Sequence, residues 1–500
     1  MELLSASLMS LWNGCLIGLA LLCLALVFDF VKNRRRGARY PPGPVPLPFV
    51  GNLLSLDFNR FPDSLVKLRR KYGNIFSLQM FSEKVVVLNN YDTIKEALIT
   101  KSEDTSDRPP TPIFDHLGFN NGIVFSNYTQ HWKARRRFAL HTLRDFGMGK
   151  KTIEERVREE AGYLCSAFQA EEGHAFDPYL LLNNAVSNVI CSIIFGDRFD
   201  YNDKTFQRII YLLKEMFQLE TGLLPQVYKV FPWLLNTPGP HQKLFTVQKM
   251  YMDSISVIIK KHKETWDPAV KRDFIDAFLE EMEKTKGDPQ SSFNDVSLLS
   301  TISDLFVGGT ETTSNTLRWA LLMMLLHPHI QNRVHKEIDQ VIGPDKIPTM
   351  EDHLNMHYTN AVVHEVQRYG NILPTAIFHM TQADTKIKGF DIPKGTTIIP
   401  NLTSVLKDED IWEKPYQFYP EHFLDAQGNF FKRDEFIPFS AGRRICLGEQ
   451  LARMELFIIF TSLLQKFEFC IPPKQPPPRD DPMYMFNFTP QPFQVCAKVR

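Results

Sequence analysis

Apolar residues recur at spacings of three and four through most of the chain, a repeat that places them on one face of a helix. The pattern predicts helices at Phe61 to Tyr72, Gln130 to Leu143, Thr152 to Phe168, Lys243 to Trp266, Asp295 to Leu326, Ile330 to Ile342, Tyr358 to Tyr369 and Leu447 to Phe467. Strand signals are shorter. Ile75 to Leu78 with Val85 to Leu88, and Thr385 to Gly389 with Thr396 to Pro400, predict small hairpins, and the proline-rich stretch Pro472 to Pro482 reads as a loop before a last strand pair. The fold class expected is mainly α with small β-sheets.

The first thirty residues have a different pattern. No charged residue occurs from Leu3 to Phe28, and ~20 apolar residues suffice to span a ~30 Å hydrocarbon layer. Lys32, Arg34, Arg35, Arg36 and Arg39 follow at once, which keeps that end cytoplasmic and argues for an uncleaved anchor over a signal peptide. Pro41, Pro42, Pro44, Pro46 and Pro48 then exclude helix and read as a stiff spacer. The expected organisation is a single-pass membrane anchor at 1–31, a basic and proline-rich linker at 32–52, and one large domain at 53–500, since no later linker or repeat interrupts the chain. The sequons at Asn127, Asn401 and Asn487 would then never meet the glycosylation machinery.

Composition limits what such a protein does. With 44% hydrophobic residues, the 500-residue chain can bury a large core, and 57 basic against 57 acidic residues give no global attraction to nucleic acid. Seven cysteines without a recurring spacing suggest reduced thiols and no disulfide framework. One has a distinctive setting. In Phe439-Ser-Ala-Gly442-Arg-Arg444-Ile-Cys446-Leu-Gly448 the thiol lies in a glycine-flanked turn before a helix N-terminus, where N–H groups and the helix dipole favour thiolate. A nucleophile or a metal ligand both fit, and Arg444 would meet an anion on a flat partner that the glycines admit.

The pattern Phe-x-x-Gly-x-Arg-x-Cys-x-Gly resembles the haem-ligand loop of the cytochromes P-450. Three further segments match in order: Gly308-Gly309-Thr310-Glu311-Thr312-Thr313, similar to the oxygen-binding segment of the family's central helix; Glu365-x-x-Arg368; and Pro420-Glu421-His422-Phe423, with histidine where arginine is commonest, which predicts a weaker or pH-dependent third member of the charge network. Glu155-x-x-Arg158 repeats the second spacing, so that motif carries weight only through its order. The resemblance implies the cytochrome P-450 fold as a single haem domain, with haem b (iron protoporphyrin IX) held by Cys446 as axial iron ligand. It places Arg108, Trp132, Arg136, His379, Phe439 and Arg444 at the cofactor, while the competing reading of Lys133, Arg135, Arg136 and Arg137 is a solvated basic face that holds for some of them. Thr312 would hydrogen-bond dioxygen and Glu311 would relay protons. No dinucleotide-binding element is evident, so electrons are expected from NADPH through cytochrome P-450 reductase, with cytochrome b5 as a second donor. Basic residues left outside, with Lys432, Arg433 and Arg443, would dock such partners.

Across nearly the whole chain the likeness is to the second, xenobiotic-oxidising family, and within it to the D subfamily. Asp304 lies about 12 Å from Thr312 at helical rise, and acids there and at Glu220 imply lipophilic basic amines as substrates, with steroids or fatty acids also open; the alternative role for Asp304 is to bond nearby backbone. Val124 stands where an aromatic wall residue is expected, so ring-stacking preferences do not carry over. The expected activity is monooxygenation of lipophilic small molecules by O2 at the cytoplasmic face of the endoplasmic reticulum membrane. Competing readings are a non-oxygenating haem-thiolate isomerase or dehydratase, a membrane-tethered cysteine hydrolase, a zinc site at His353 and His357, and a haem carrier without turnover.

Overall fold

The computed structural model describes residues 39–500, apart from 117, 221–223 and 485–486, together with 12, 13, 16, 17 and 24. The predicted anchor therefore lies almost wholly outside the described residues, and among those described no helix is long and apolar enough to cross a membrane. The chain divides into two compact units, Met1–Pro109 with Ile377–Asn401, and Pro110–Ala376 with Leu402–Arg500. No linker in the sequence marks this division, because the returning segment joins the first unit through strand pairing.

In the first unit, helix α1 (Phe61–Tyr72) precedes β1 (Ile75–Met80) and β2 (Glu83–Leu88), which pair antiparallel with Ile75 opposite Leu88. The proline-rich run is non-helical, as expected, yet it is laid along β1. Ser77 Oγ and N donate to the Pro41 and Pro42 carbonyls, and a Cβ on Gly43 would stand 2.0 Å from the Ser77 carbonyl oxygen.

The larger unit carries α2 (Gln130–Asp145), α3 (Lys151–Gln169), α4 (Tyr179–Ile194), α5 (Lys204–Leu219), α6 (His241–Glu264), α7 (Phe274–Lys284), α8 (Asp295–Leu326), α9 (Pro328–Val341), α10 (His357–Gly370) and α11 (Glu449–Lys466). All the predicted helices are present, with α8 at its expected bounds. Its start is fixed by a capping box in which Asn294 and Ser297 exchange side-chain and backbone bonds. Three long helices were not predicted. α4 is apolar or neutral on nearly every side and buried along most of its length, so it has no polar face to reveal a period. α5 and α7 do have the period and an Asp N-cap each, at Asp203 and Asp273, a signal that was there to be read.

The second predicted hairpin is corrected. Thr385–Ile387 pairs with Phe390–Ile392 (β4, β5), while Thr397–Pro400 (β6) runs parallel to β2 and antiparallel to His379–Met380 (β3), giving the order β1-β2-β6-β3. Every residue of β6 is buried, so it sits inside a sheet and not at the rim of a ribbon. At the C-terminus Phe467–Cys470 (β7) pairs with Cys496–Val499 (β10), and Pro482–Tyr484 (β8) with Phe488–Pro490 (β9), the last pair the proline-rich loop predicted.

Candidate active site

The cysteine loop is built from backbone geometry first. Gly442 sits at φ +76°, a left-handed conformation that side chains with a Cβ resist, and opens the short turn Gly442–Arg444. The Cys446 N–H donates to the Phe439 carbonyl at 3.1 Å, closing the loop, and Arg453 from α11 lies 5.0 Å over the Phe439 ring. Cys446 is exposed, whereas Cys165, Cys191 and Cys496 are buried and Cys470 is partly so.

The sequence led us to expect a depressed thiol pKa at this position. The structure places it the other way: although the residue as a whole is exposed, the protein packed around the sulfur pushes the thiol above its ordinary value, Glu449 adds to that, and the Gly448 N–H with the Arg136 and Arg453 guanidinium groups only partly offsets it. The thiolate would therefore be completed by a bound cation, as for metal-ligating cysteines generally. A sulfur with one backbone donor and two nearby guanidinium groups suits an iron porphyrin, whose metal takes the thiolate and whose carboxylates need cations.

Helix α2 and the loop before it supply the rest of this wall. Thr129 caps α2 by accepting from the Trp132 N–H. Trp132 and Arg444 converge: the guanidinium lies 4.0 Å over the indole ring, and Trp132 Nε1–H and Arg444 both donate to the Ile123 carbonyl, with Arg444 also reaching that of Ser126. Arg136 donates to the Ile445 carbonyl beside the cysteine at 2.5 Å. Sequence reasoning placed Arg135 on a basic surface with its neighbours, yet it is buried, and Asp304 is a charge that acts on it. Its position three residues after Trp132, on the same helical face, is the signal that was missed.

Arg108 and His379 belong to the other unit. There Arg108 donates to the Ile377 and Phe378 carbonyls, and His379 Nδ1 donates to that of Thr105.

At the middle of α8 the two adjacent glycines have separate reasons. A Cβ on Gly309 would stand 3.0 Å from the Ile190 side chain of α4, so this glycine permits close helix packing, while a Cβ on Gly308 would meet nothing within 4 Å. Gly308 is exposed and Thr312 partly so, although most of α8 around them is buried; the Thr312 hydroxyl donates back to the Gly308 carbonyl at 2.6 Å. Gly308→Ala is expected to raise stability by up to about 1 kcal/mol through helix propensity. Gly309→Ala should lose that gain to Ile190, and chemical denaturation of the two variants compares them. Glu311, adjacent in sequence, points away from Thr312's face: it is buried and accepts from the Tyr179 hydroxyl at 3.1 Å.

Asp304 does bond nearby backbone. Its Oδ2 accepts from the N–H groups of Ile123 and Val124 at 2.6 and 2.9 Å, which ties the 119–124 loop to α8. Burial nonetheless pushes its pKa up to about 7, against the two N–H donors and Arg135. Glu220, just after α5, accepts from Gln248 of α6 at 3.0 Å, and burial raises it to about 8.

The charge network is complete, with its third member in place. Glu365 and Arg368 are fully buried and doubly bonded, both contacts 2.7 Å. Lys414 N–H donates to His422 Nε2, so the proton of this imidazole is on Nδ1 and points at Glu365, 3.2 Å away. A neutral histidine thus fills the arginine position through a hydrogen bond and not a charge. Glu155 of the repeated motif is exposed, which separates the two by burial alone. His353 packs on Phe457 and His357 accepts from the Phe430 N–H, and among the described residues no cluster of three metal-binding side chains occurs. The zinc reading has no support.

Comparison with known proteins supplies the family. The model of the family described as Cytochrome P450 matches residues 41–497. The chain is similar to cytochrome P450 2D27 of Mesocricetus auratus, at 52% identity over 495 residues covering 98% of each chain. It is likewise similar to cytochrome P450 2D26 of Rattus norvegicus, at 54% identity over 480 residues covering 95% of this chain and 96% of that one. Cytochrome P450 2D1 of the same species is 49% identical over 505 residues, 100% of this chain and 99% of that one.

Proposed function

Because the chain belongs to the cytochrome P450 family, as a haem-b-dependent monooxygenase that oxidises xenobiotics with electrons from NADPH through a reductase, we propose that Cys446 is its iron ligand and that lipophilic amines are its preferred substrates. Haem b, bound through the thiolate, supplies the activation of dioxygen. Everything else falls to the chain. Phe439 and Gly442 shape the loop that presents Cys446, and Arg136 and Arg444 are the cations for haem carboxylates, with Trp132, whose N–H meets the Ile123 carbonyl, Arg108 and His379 assigned the same role on the family resemblance alone. The Thr312 hydroxyl lies on the accessible side of α8, where it would donate to dioxygen, and Glu311 holds the proton behind it. An isomerase or dehydratase has no need of that pair, and a hydrolase none of Arg444.

The amine reading is carried by Glu220. A half-buried carboxyl held at about 8 by desolvation has lost part of its water, and an ammonium ligand returns a counter-ion to it. Asp304, spent on the Ile123 and Val124 N–H groups, shapes the loop that presents Val124 and acts on ligands of either charge. Glu220→Gln is expected to weaken a quaternary ammonium ligand about tenfold or more, a charged hydrogen-bonding partner being worth ~1.5–3 kcal/mol. A neutral isostere should bind unchanged, whereas Asp304→Asn should weaken both. The probe's charge cannot titrate, so its affinity for the unsubstituted protein should rise as pH passes about 8 and Glu220 ionises, and stay flat in Glu220→Gln. Equal loss of charged and neutral ligands in Glu220→Gln, read by spectral titration, would remove the anchor.

In the same reading the anchor at 1–31 holds the enzyme to the endoplasmic reticulum with its body on the cytoplasmic face. Lys432 and Arg443 are exposed and face electron donors, cytochrome b5 included, whereas Arg433 is taken up by the His422 carbonyl and the Trp412 ring.

A further inference from the structure

The proton-relay reading leaves open how a buried carboxylate at Glu311 is supplied. Helices α4 and α8 pack along a largely apolar interface that contains a row of polar pairs. Tyr179 Oη donates to Glu311 Oε1 at 3.1 Å, Ser314 Oγ donates to Asn183 Oδ1 at 2.9 Å, and Ser187 Oγ donates to Thr310 Oγ at 3.2 Å. Residues 179, 183 and 187 are four apart and share one face of α4. Asn183 also donates to the Tyr179 carbonyl, which ties the row to the first turn of the helix. Plain packing gives no reason for three such pairs in a greasy seam, since each buried polar group must be matched to avoid a penalty of about 1–3 kcal/mol.

The row has an open end. Glu311 is buried, Tyr179 is partly exposed, and Asp177, whose Oδ1 accepts from the Tyr179 N–H, is exposed. Lys214 of α5 stands 4.1 Å from the centre of the Tyr179 ring and the Arg318 guanidinium of α8 5.0 Å from it. The charged and titratable groups that face Glu311 are thus Tyr179 from α4, Lys214 from α5 and Arg318 from α8, with Asp177 behind Tyr179 and Arg318. Arg318 is itself buried, and its Nε–H has no hydrogen-bond partner among the described residues, a setting that water ordinarily serves.

We propose that Tyr179 is the positioning residue of the relay: its phenol holds the Glu311 carboxyl at the outer end of the α4–α8 seam, in the ionised form that accepts a proton from the solvent side. This rests on the reading of Glu311 as the relay carboxyl. Burial raises the Glu311 pKa, and the Tyr179 hydroxyl, Arg318 and Lys214 each pull it back. The phenol itself stays protonated, because burial and the neighbouring carboxylate push it far up. Removing the phenol oxygen therefore raises the Glu311 pKa further, and the protonated carboxyl persists to higher pH.

The test uses the full-length holoenzyme and its Tyr179→Phe, Lys214→Gln and Glu311→Gln variants. Phenylalanine keeps the ring against which Lys214 and Arg318 lie, and Lys214 is partly exposed, so neither change threatens the core. The first readout is independent of turnover: the carboxylic-acid band in pH-difference infrared spectra, assigned to Glu311 by its absence in Glu311→Gln. Its midpoint is expected to move up by about one pH unit in Tyr179→Phe and less in Lys214→Gln. The second readout is coupling, product formed per NADPH consumed, against pH, and its acidic limb should move up with the infrared midpoint, because the ionised carboxyl is the form that accepts the proton. An unmoved midpoint in Tyr179→Phe overturns the role of Tyr179 while leaving Glu311 as the relay. Normal coupling in Glu311→Gln instead overturns the relay reading, and the role of Tyr179 with it.

Discussion

Replacing Cys446 by alanine is expected to give a folded protein that shows no strongly red-shifted Soret band when reduced under carbon monoxide and forms no product from NADPH and O2. The fold should survive because the bond that shapes the loop runs through the Cys446 backbone N–H to the Phe439 carbonyl, and alanine keeps it. The turn at Gly442 depends on its own positive φ and not on the sulfur. What alanine removes is the one exposed thiol among the described cysteines, held beside the Gly448 N–H and the guanidinium groups of Arg136 and Arg453. Cys470→Ala is the control, since that thiol bonds the Cys496 carbonyl and thiol on the neighbouring strand, away from the Cys446 loop in sequence. The measurement is the reduced carbon monoxide spectrum of the purified protein with circular dichroism alongside. A red-shifted band retained in Cys446→Ala would remove this residue as the ligand and dismantle the site built around it.

Arg368→Ala is expected to lower stability by about 3–5 kcal/mol, the range for stripping one partner from a buried ion pair. Folded domains are stable by only about 5–15 kcal/mol, so about a fifth or more of the margin would go. The size follows from what the side chain satisfies. Arg368 is 0% exposed, and besides its two bonds to Glu365 it donates to the carbonyls of Leu406, Pro415 and Gln417. Alanine leaves those three acceptors and a carboxylate buried together without their cation. Arg368→Lys keeps the charge but not the planar fork, and should fall between the two. Glu365 keeps the Tyr419 N–H and His422 Nδ1 in either variant, so in Arg368→Ala these two neutral donors alone must hold it. Urea unfolding followed by circular dichroism gives the difference directly. A loss below about 1 kcal/mol would mean that the network is a local bond and not a keystone of the larger unit.

Much of this was legible before any coordinate. A repeat of three and four marks a helix because burial on one side is a property of local sequence, so α8 was found at Asp295–Leu326 from its pattern alone. The same logic fails for α4, whose surroundings are protein on nearly all sides, and for β6, whose partner β2 is more than three hundred residues earlier in the chain. Pairing across that distance is a question of which edges meet, and no window of sequence contains the answer.

The site divides in the same way. The residue types and spacing around Cys446, and the family they point to, are written in the chain, because a thiol in a glycine turn before a helix is a local arrangement. Its proton affinity is not, since that depends on how much of the sulfur is buried against how many donors, and burial is set by the whole unit. Nor could the sequence say that Asp304 ties down Ile123 and Val124, that Arg135 faces that acid, or that His422 replaces an arginine through one hydrogen bond. Sequence determined most of the long helices, the thiol loop and the family; tertiary structure decided which polar groups lost their water and which neighbour answered for it, because desolvation and hydrogen bonding act between residues that the chain brings together only by folding.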